Sequence, residues 1–161
     1  MPFGTYFYYT NYLNQALSLG FFTGTSSTTF SPEQLLTRGQ AVTVLGRVHE
    51  KLTGETIQEP DQAQFPDVAG YSSPYVNWAW KNHIIGGYGD GSFRPNNPVT
   101  NGELACVFNR YLNLIGRQGL YESRAYDNQI EIPKWTKESV TAISGYEIFT
   151  GGAFLAGKKV S

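Results

Sequence analysis

The sequence predicts an all-α protein made of repeated helix–loop–helix units. A shift of 63 residues aligns residues 12–48 with residues 75–111 without a gap. In each copy, a Thr-x-x-Gln or Thr-x-x-Glu segment precedes an apolar stripe of helical period, and a glycine-bearing stretch lies before it. Self-similarity at a fixed spacing is typical of repeat proteins. The identical pairs are Tyr12/Tyr75, Asn14/Asn77, Ala16/Ala79, Gly24/Gly87, Phe30/Phe93, Pro32/Pro95, Thr37/Thr100, Gly39/Gly102, Val44/Val107 and Arg47/Arg110.

The first helix of the second copy is predicted from "SPYVNWAWKNH". Ser73 suits the N-cap, and Pro74 suits the first helical position, where its missing N–H has no cost. The helix is expected to end near Gly86–Gly87, because glycine readily adopts the left-handed conformation that ends a helix. His83 stands where the first copy has Gly20.

A capping box marks the second helix of each copy. In "TRGQ" (37–40) and "TNGE" (100–103), the Thr side chain is expected to accept the N–H three residues on, while Gln40 or Glu103 reaches back. Apolar residues then recur at helical spacing, so these helices are predicted to form the core. They are Ala41, Val44, Leu45 and Val48 in one copy and Leu104, Val107, Phe108, Tyr111, Leu112 and Ile115 in the other. The polar stretches 49–64 and 116–128 are predicted connectors.

A weaker third copy follows in "AISGYEIFTGG" (142–152), which aligns with residues 15–25 and 78–88. In that register the counterpart of Thr37 falls near position 164, so the third unit is expected to lack its second helix. We expect a single domain over 1–161, with repeat 1 at about 3–50, repeat 2 at about 65–116 and a partial repeat 3 at about 126–161. A missing core helix would leave an apolar patch, so a shortened chain or self-association through the incomplete repeat is expected.

Repeat 2 strongly resembles the S-layer homology motif of bacterial surface proteins in "FPDV" (65–68) and "YVNWAWKNHIIGGYGDGSFRPNNPVTNGE" (75–103). Residues 12–48 resemble it well, and the tail from about Tyr126 is similar to the first half of a third motif. The resemblance implies a pseudo-threefold, three-pronged spindle of helix–loop–helix repeats around a central helical bundle, with the third repeat incomplete. It also implies a non-catalytic role outside the cell, at the bacterial cell surface or cell wall. There, grooves between repeats bind a secondary cell-wall polysaccharide, often pyruvylated, or another peptidoglycan-linked polymer.

The resemblance also points to an arginine at the start of the second helix, which pairs with the acidic group of the sugar. Arg38 matches it, and a guanidinium suits a carboxylate because its donors have a fixed, paired geometry. The alternative is a solvated first helical residue. Repeat 2 has Asn101 there, which can hydrogen-bond a sugar but cannot neutralise an acid. Gly39 and Gly102 replace the usual alanine, either because a ligand approaches the backbone or through drift.

The remaining ligand candidates are polar or aromatic residues in repeat 2 and at the two helix starts. Short polar groups can meet a glycan or simply close a turn. Aromatic rings can stack on a sugar or join the core, and the capping residues are explained by capping alone. These candidates are Tyr88, Trp80, Asp90, Gly91, Ser92, Gln40 and Glu103. Phe93 and Pro95 are expected to be packing residues, and Arg94 to make at most a local contact.

Composition and spacing exclude several function classes. A formal net charge of -1 and a pI of about 6.1 give no broad basic field for nucleic acid. No apolar run approaches the roughly 20 residues of a membrane span, and the N-terminus has no signal-peptide pattern. A calcium loop that starts at Asp90 would have Arg94 at its fifth position, which fails the ligand pattern.

Enzyme activity is not expected either. Asp90 and Glu103 are the only tempting carboxylate pair in the loop of repeat 2, and repeat 1 has Ser27 and Gln40 in their places. We therefore expect no catalytic residue, metal or cofactor. Two functions remain: a carbohydrate-binding cell-wall anchor, and a structural self-assembly or protein–protein interaction module of a bacterial surface protein.

Overall fold

The computed structural model describes residues 18–20, 34–128, 131–146 and 155–160. Their helices are α1 (Arg38–Thr53), α2 (Ser73–Lys81), α3 (Asn101–Leu114) and α4 (Lys134–Ile143), with 3-10 turns at Gly70–Ser72 and Ser144–Tyr146. These ranges contain no β-strand, only the isolated bridges Thr37–Pro98 and Thr100–Lys159. The all-α prediction is confirmed. Most of the first helix predicted for repeat 1, and its loop with Phe30 and Pro32, lie outside the described residues.

Both predicted capping boxes are present. At α1, Thr37 Oγ1 accepts the Gln40 N–H at 3.2 Å, and Gln40 Oε1 accepts the Thr37 N–H at 2.9 Å. At α3, Thr100 and Glu103 make the same two bonds, at 3.2 and 2.8 Å. Each box satisfies two backbone donors that have no partner within the helix.

The helix ends differ from the predicted ones. The start of the predicted connector 49–64 is helical, because polar side chains do not interrupt α1 and it continues until Gly54 at φ 76°. The N-cap of α2 is Ser72 rather than Ser73, and α2 ends at Lys81, before Gly86–Gly87. The residue with positive φ after α2 is His83 at 59°, and its counterpart Gly20 has φ 74°. A histidine thus takes the backbone conformation that repeat 1 gives to glycine.

Two apolar clusters share α3. The first lies between α1, α2 and the loop after α2, and the second lies between α3, α4 and the residues that flank α4. Phe108 of α3 packs against both. The buried members of the first are Val42, Leu45, Phe65, Val68, Val76, Ala79, Ile84, Ile85, Phe93 and Tyr111, and those of the second are Ala105, Tyr126, Ile132, Val140, Ile143 and Ala156.

The predicted core stripes are partly confirmed. Ala41 and Leu45 of α1 are buried, whereas Val44 and Val48 are only half-buried. His49 is buried too, because its ring lies 4.8 Å from the Trp78 ring, centroid to centroid. In α3, Tyr111 is buried, and the other predicted positions are half-buried where α3 divides its surface between the two clusters.

The segments before α1 and α3 join residues 155–160 in a closed ring of backbone hydrogen bonds. The Leu36 N–H donates to the Val160 carbonyl at 2.8 Å, the Val160 N–H to the Val99 carbonyl at 3.0 Å, and the Val99 N–H to the Leu36 carbonyl at 2.8 Å. Each residue gives one bond and receives one, so three distant segments of the chain fix one another.

The start of each of these two helices is covered by a segment from further along the chain. The first two helical N–H groups donate to carbonyls of that segment. The bonds are Arg38 to Asn97 and Gly39 to Pro95 at α1, and Asn101 to Lys158 and Gly102 to Ala156 at α3. Residues 155–160 therefore bond to the start of α3 in the same way that the loop of repeat 2 bonds to the start of α1.

This close approach accounts for Gly39 and Gly102. A Cβ on Gly39 would lie 3.1 Å from Pro95 Cβ, and one on Gly102 would lie 3.0 Å from Thr136 Cγ2 and 3.2 Å from the Ala156 carbonyl. Atoms of the protein itself occupy the space beside both glycines. This packing explains the two glycines without a bound ligand or sequence drift.

The hydrogen bonds also correct the register of the third copy. Val160 takes the place that Leu36 and Val99 take in the first two copies, about three residues before the position that the predicted register gives. The helix α4 lies within the predicted partial repeat. The repeat boundaries and the three-pronged spindle stay predictions.

Gly46 lets α1 and α2 pack closely, since a Cβ there would overlap the Tyr75 ring. We expect Gly46→Ala to lower the free energy of unfolding by about 1 kcal/mol or more, although alanine favours a helix by up to about 1 kcal/mol. Urea denaturation followed by circular dichroism measures this. Gly89→Ala is the control, because a Cβ there meets no atom within 4 Å. Equal stability of the two variants would contradict the packing argument.

Candidate ligand-binding cleft

A cleft of about 270 Å³ opens where the start of α1 meets the loop of repeat 2 and α3. Three of the predicted site residues, Arg38, Tyr88 and Glu103, line it together. Arg110 and Trp135 join them, and Phe93, 1% exposed, contributes to its floor. The other lining residues are Ala41, Val42, Ile85, Gly86, Gly87, Val99, Cys106 and Val107.

Arg38 is anchored within the protein rather than solvated. Its Nη1 pairs with Glu103 Oε1 at 2.7 Å, its Nε donates to the Phe93 carbonyl at 2.9 Å, and its side chain is only 13% exposed. The guanidinium carbon lies 4.7 Å from the Phe93 ring centroid. Among the described residues, none accepts a hydrogen bond from Nη2 of Arg38. The anchored guanidinium can therefore direct that nitrogen to an acceptor in the cleft.

Glu103 connects the two helix starts. Its Oε1 accepts from Arg38, while its Oε2 accepts the Thr100 N–H at 2.8 Å and the Thr100 hydroxyl at 3.1 Å. The capping interpretation is confirmed, and the ion pair with α1 is an addition that the local pattern did not predict. Because Glu103 is engaged on both oxygens, it offers a ligand little accepting capacity.

Arg110 lines the cleft but was not among the residues predicted from the sequence. It is exposed, and its Nη1 donates to the Ile84 carbonyl at 3.2 Å, which leaves most of its donors without a partner among the described residues. The signal was the identity of Arg47 and Arg110 in the two copies. With Arg38 and Arg110 against Glu103, the described lining of the cleft has two cations and one carboxylate, an excess of one positive charge.

Trp135, the first-turn tryptophan of α4, was also missed, because the third copy is the weakest in sequence. It is 62% exposed and lines the cleft beside α3, where its ring end lies 3.2 Å from the Cβ position of Gly102. An exposed aromatic ring next to charged donors can stack on the apolar face of a sugar.

Asp67 of the "FPDV" segment holds the loop that carries Phe93. Its carboxylate oxygens accept the N–H groups of Phe93 at 2.9 Å and Arg94 at 2.7 Å. Arg94 has φ 59°, a conformation that few non-glycine residues adopt. Although burial opposes its ionisation, these backbone donors lower the pKa of Asp67 below its ordinary value.

Asp90, Gly91 and Ser92 form a turn that satisfies its own polar groups. Asp90 Oδ1 accepts the Ser92 N–H at 3.0 Å and the Ser92 hydroxyl at 2.6 Å, and Oδ2 pairs with Arg94 at 2.9 Å. The Ser92 donors and the Arg94 guanidinium hold the pKa of Asp90 well below its usual range. Gly91 has φ 82°, as the turn requires. The turn interpretation is confirmed, and a ligand contact by these residues stays a prediction.

Tyr88 connects the turn to the cleft. The guanidinium carbons of Arg38 and Arg94 lie 4.9 and 4.0 Å from its ring centroid. Both distances are within the range of cation–π attraction, so the tyrosine orients Arg38 as well as lining the cleft. The Arg94 side chain makes only local contacts, as predicted, whereas its backbone N–H donates to the distant Asp67.

The other predicted site residues lie elsewhere. Gln40 is used by its capping box and does not line the cleft. Asn101 donates from Nδ2 to the Leu155 carbonyl at 3.2 Å, so it contacts the C-terminal segment. Trp80 lines a separate cleft beside α2. The structure thus does not place these three residues around Arg38.

Within the described ranges, no helix is long and apolar enough to cross a lipid bilayer. No group of three or more His, Cys, Asp or Glu side chains in those ranges is arranged to hold a metal ion.

The S-layer homology domain family model matches residues 5–42 and 64–105, which fall on the two predicted full repeats. Cell surface glycoprotein 1 of Acetivibrio thermocellus is 30% identical over 104 residues, which cover 60% of this chain. The Surface-layer 125 kDa protein of Lysinibacillus sphaericus is 35% identical over 97 residues, or 56% of this chain. The chain spans only 4% and 8% of the lengths of these relatives. It belongs to the S-layer homology family.

Asp67→Asn is expected to destabilise the protein in a pH-dependent way. Because the pKa of Asp67 is lower in the folded state, its stabilisation is present above the unfolded-state pKa and is lost as the pH falls through the folded-state pKa. The difference in free energy of unfolding between wild type and variant should therefore be larger at about pH 7 than at about pH 3. Urea denaturation at both pH values measures it.

Asp61→Asn is the control for this test, since Asp61 has no hydrogen-bond partner among the described residues. Its difference from wild type should be small at either pH. A pH-independent difference for Asp67→Asn would contradict the role of the ionised carboxylate.

Proposed function

We propose that this chain is a non-catalytic cell-wall anchoring module, and that it binds an acidic secondary cell-wall polysaccharide in the cleft between α1, the loop of repeat 2 and α3. One observation carries the proposal: two guanidinium groups, Arg38 and Arg110, line one cleft with an exposed tryptophan, Trp135. Family membership supports a place at the cell surface, as do the names of the two relatives.

The chemistry favours an acidic sugar. Arg110 is exposed and offers a positive charge with several donors, while Arg38 offers Nη2 from a fixed position. Carboxylates suit such paired donors, and a pyruvyl ketal is one source of a carboxylate on a neutral sugar. Trp135 can cover the apolar face of the ring. The volume of about 270 Å³ lies near the lower end of small-molecule sites, which suits one acidic residue of the polymer.

Arg38 is a poor first target for mutation, although it is the arginine that the family resemblance indicated. Its removal would leave Glu103 without its cation and the Phe93 carbonyl without its donor. An unpaired, half-buried charge is destabilising in itself, so loss of binding by an Arg38 variant would not separate recognition from folding. Among the described residues, the guanidinium of Arg110 bonds only to the Ile84 carbonyl, so Arg110 is the better target.

Arg110→Gln is expected to weaken binding to purified acidic cell-wall polymer by roughly 10-fold or more, because a hydrogen bond to a charged group contributes about 1.5–3 kcal/mol. Co-sedimentation with the polymer measures this. The matched control is Arg47→Gln, since Arg47 has the same position in the other copy and lies outside the cleft. Polymer from which the pyruvyl groups have been removed should bind wild type and Arg110→Gln alike. Equal binding of intact polymer by both variants would refute the assignment of this cleft.

Protein–protein assembly remains the second candidate, and one observation favours it. Asn101 stands in the second copy where the first has Arg38, and it donates to the Leu155 carbonyl. The side chains of Leu155, and of Trp135 beside Gly102, are 56% and 62% exposed. Such apolar surface can bury itself against another copy. Sedimentation velocity over a range of concentrations separates the two functions. Self-association that increases with protein concentration, without polymer binding, would favour assembly. A protein that stays monomeric and binds the polymer would favour anchoring.

A further inference from the structure

A second cleft, of about 540 Å³, lies between the connector that follows α1 and the outer side of α2. It shares no lining residue with the first cleft and is about twice as large. The connector had been predicted only as a polar link between repeats. Its residues form one wall, and the two tryptophans of α2, Trp78 and Trp80, belong to the other.

Three hydrogen bonds hold the connector in place. Near its start, the Ile57 N–H donates to Glu50 of α1 at 2.8 Å. Further along, the Ser73 hydroxyl donates to Glu59 at 2.5 Å, and at the end the Gln64 N–H donates to Asn77 of α2 at 2.7 Å. Because both ends and the middle are fixed, the cleft is already formed, and a ligand would not have to order the connector.

Of the two tryptophan rings in the α2 wall, one is held by packing and the other is partly exposed to solvent. Trp78 packs against the first apolar cluster, and its ring lies 4.8 Å from that of His49, centroid to centroid. Trp80, two positions along, is 40% exposed, and among the described residues no cation lies over its ring. A half-exposed tryptophan at the edge of a polar cleft offers an apolar face to a ligand that also has hydroxyl groups.

Polar side chains from both the connector and α2 line the cleft. Asp61, Gln62 and Lys81 line the cleft, and their side chains make no hydrogen bond to any other described residue. Together they offer carboxylate and amide oxygens as acceptors, and amide and ammonium groups as donors. Sugar hydroxyls, which both donate and accept, can use all of them.

The charge of this cleft differs from that of the first. Among the described residues, Glu55, Glu59 and Asp61 line it against one cation, Lys81, so carboxylates are in excess. The first cleft has an excess of one positive charge. The second cleft should therefore repel the acidic sugars that the first attracts.

We propose that this second cleft binds an uncharged saccharide, with Trp80 stacked on a sugar ring and Asp61 and Gln62 hydrogen-bonded to its hydroxyl groups. The site is independent of the arginine cleft and needs no acidic group on the ligand. A neutral stretch of a wall glycan would then contact the protein at a place distinct from its acidic residue.

The test is isothermal titration of the full chain with two neutral probes, chitotetraose and cellotetraose. Wild type is expected to bind at least one of them. Trp80→Ala should weaken that affinity by about 10-fold or more, as expected when an aromatic anchor is removed. Gln62→Ala should weaken it several-fold without changing the fold, because this side chain has no partner in the described part of the chain. Tyr71→Ala, an exposed aromatic outside the cleft, is the matched control.

Three results would overturn the proposal: no binding of either probe by wild type, unchanged affinity in both Trp80→Ala and Gln62→Ala, or clearly tighter binding of N-deacetylated chitotetraose. The last would show that the carboxylates select an amine. Binding of acidic polymer by Arg110→Gln is a separate readout, so either proposed site can fail without the other.

Discussion

The closed ring of hydrogen bonds among Leu36, Val99 and Val160 sets the relative position of the two helix starts on which the arginine cleft depends. Arg38 follows Leu36 by two residues, and Glu103 follows Val99 by four, so the ring brings the guanidinium and the carboxylate within reach of each other. One backbone hydrogen bond contributes only about 1 kcal/mol. The ring matters because it joins three distant segments at once. Once these segments are in place, the backbone bonds at the starts of α1 and α3 and the Arg38–Glu103 ion pair can form.

The two clefts differ in charge among the described residues. One has two arginines against a glutamate, and the other has three carboxylates against a lysine. A chain with a formal net charge of -1 thus carries local fields of opposite sign, which the overall composition hides. A polymer that alternates acidic and neutral sugars presents both chemistries. Attachment through two modest contacts of different kinds would be stronger than either alone, provided that the polymer spans both.

Local patterns could be predicted from the sequence, and contacts between distant segments could not. The two capping boxes and the turn at Asp90 depend on residues within a few positions, and each prediction is confirmed. The burial of Phe93 is confirmed too, although its partners are distant in sequence. The reason for Gly39 lies in Pro95, which is 56 residues away and whose carbonyl accepts the glycine N–H.

The remaining differences have the same origin. Trp80 lies beside the connector, and Arg110 lines the same cleft as Arg38, because of how the helices pack, which no single repeat determines.

The hydrogen bond between Asp67 and Phe93 of the loop, 26 residues later, bears on how such repeats can be exchanged between proteins. A graft of the glycine-rich loop alone would leave the carboxylate behind, and with it Phe65, whose ring lies 5.5 Å from that of Phe93. The smallest portable unit therefore begins ahead of the first helix, at the "FPDV" segment.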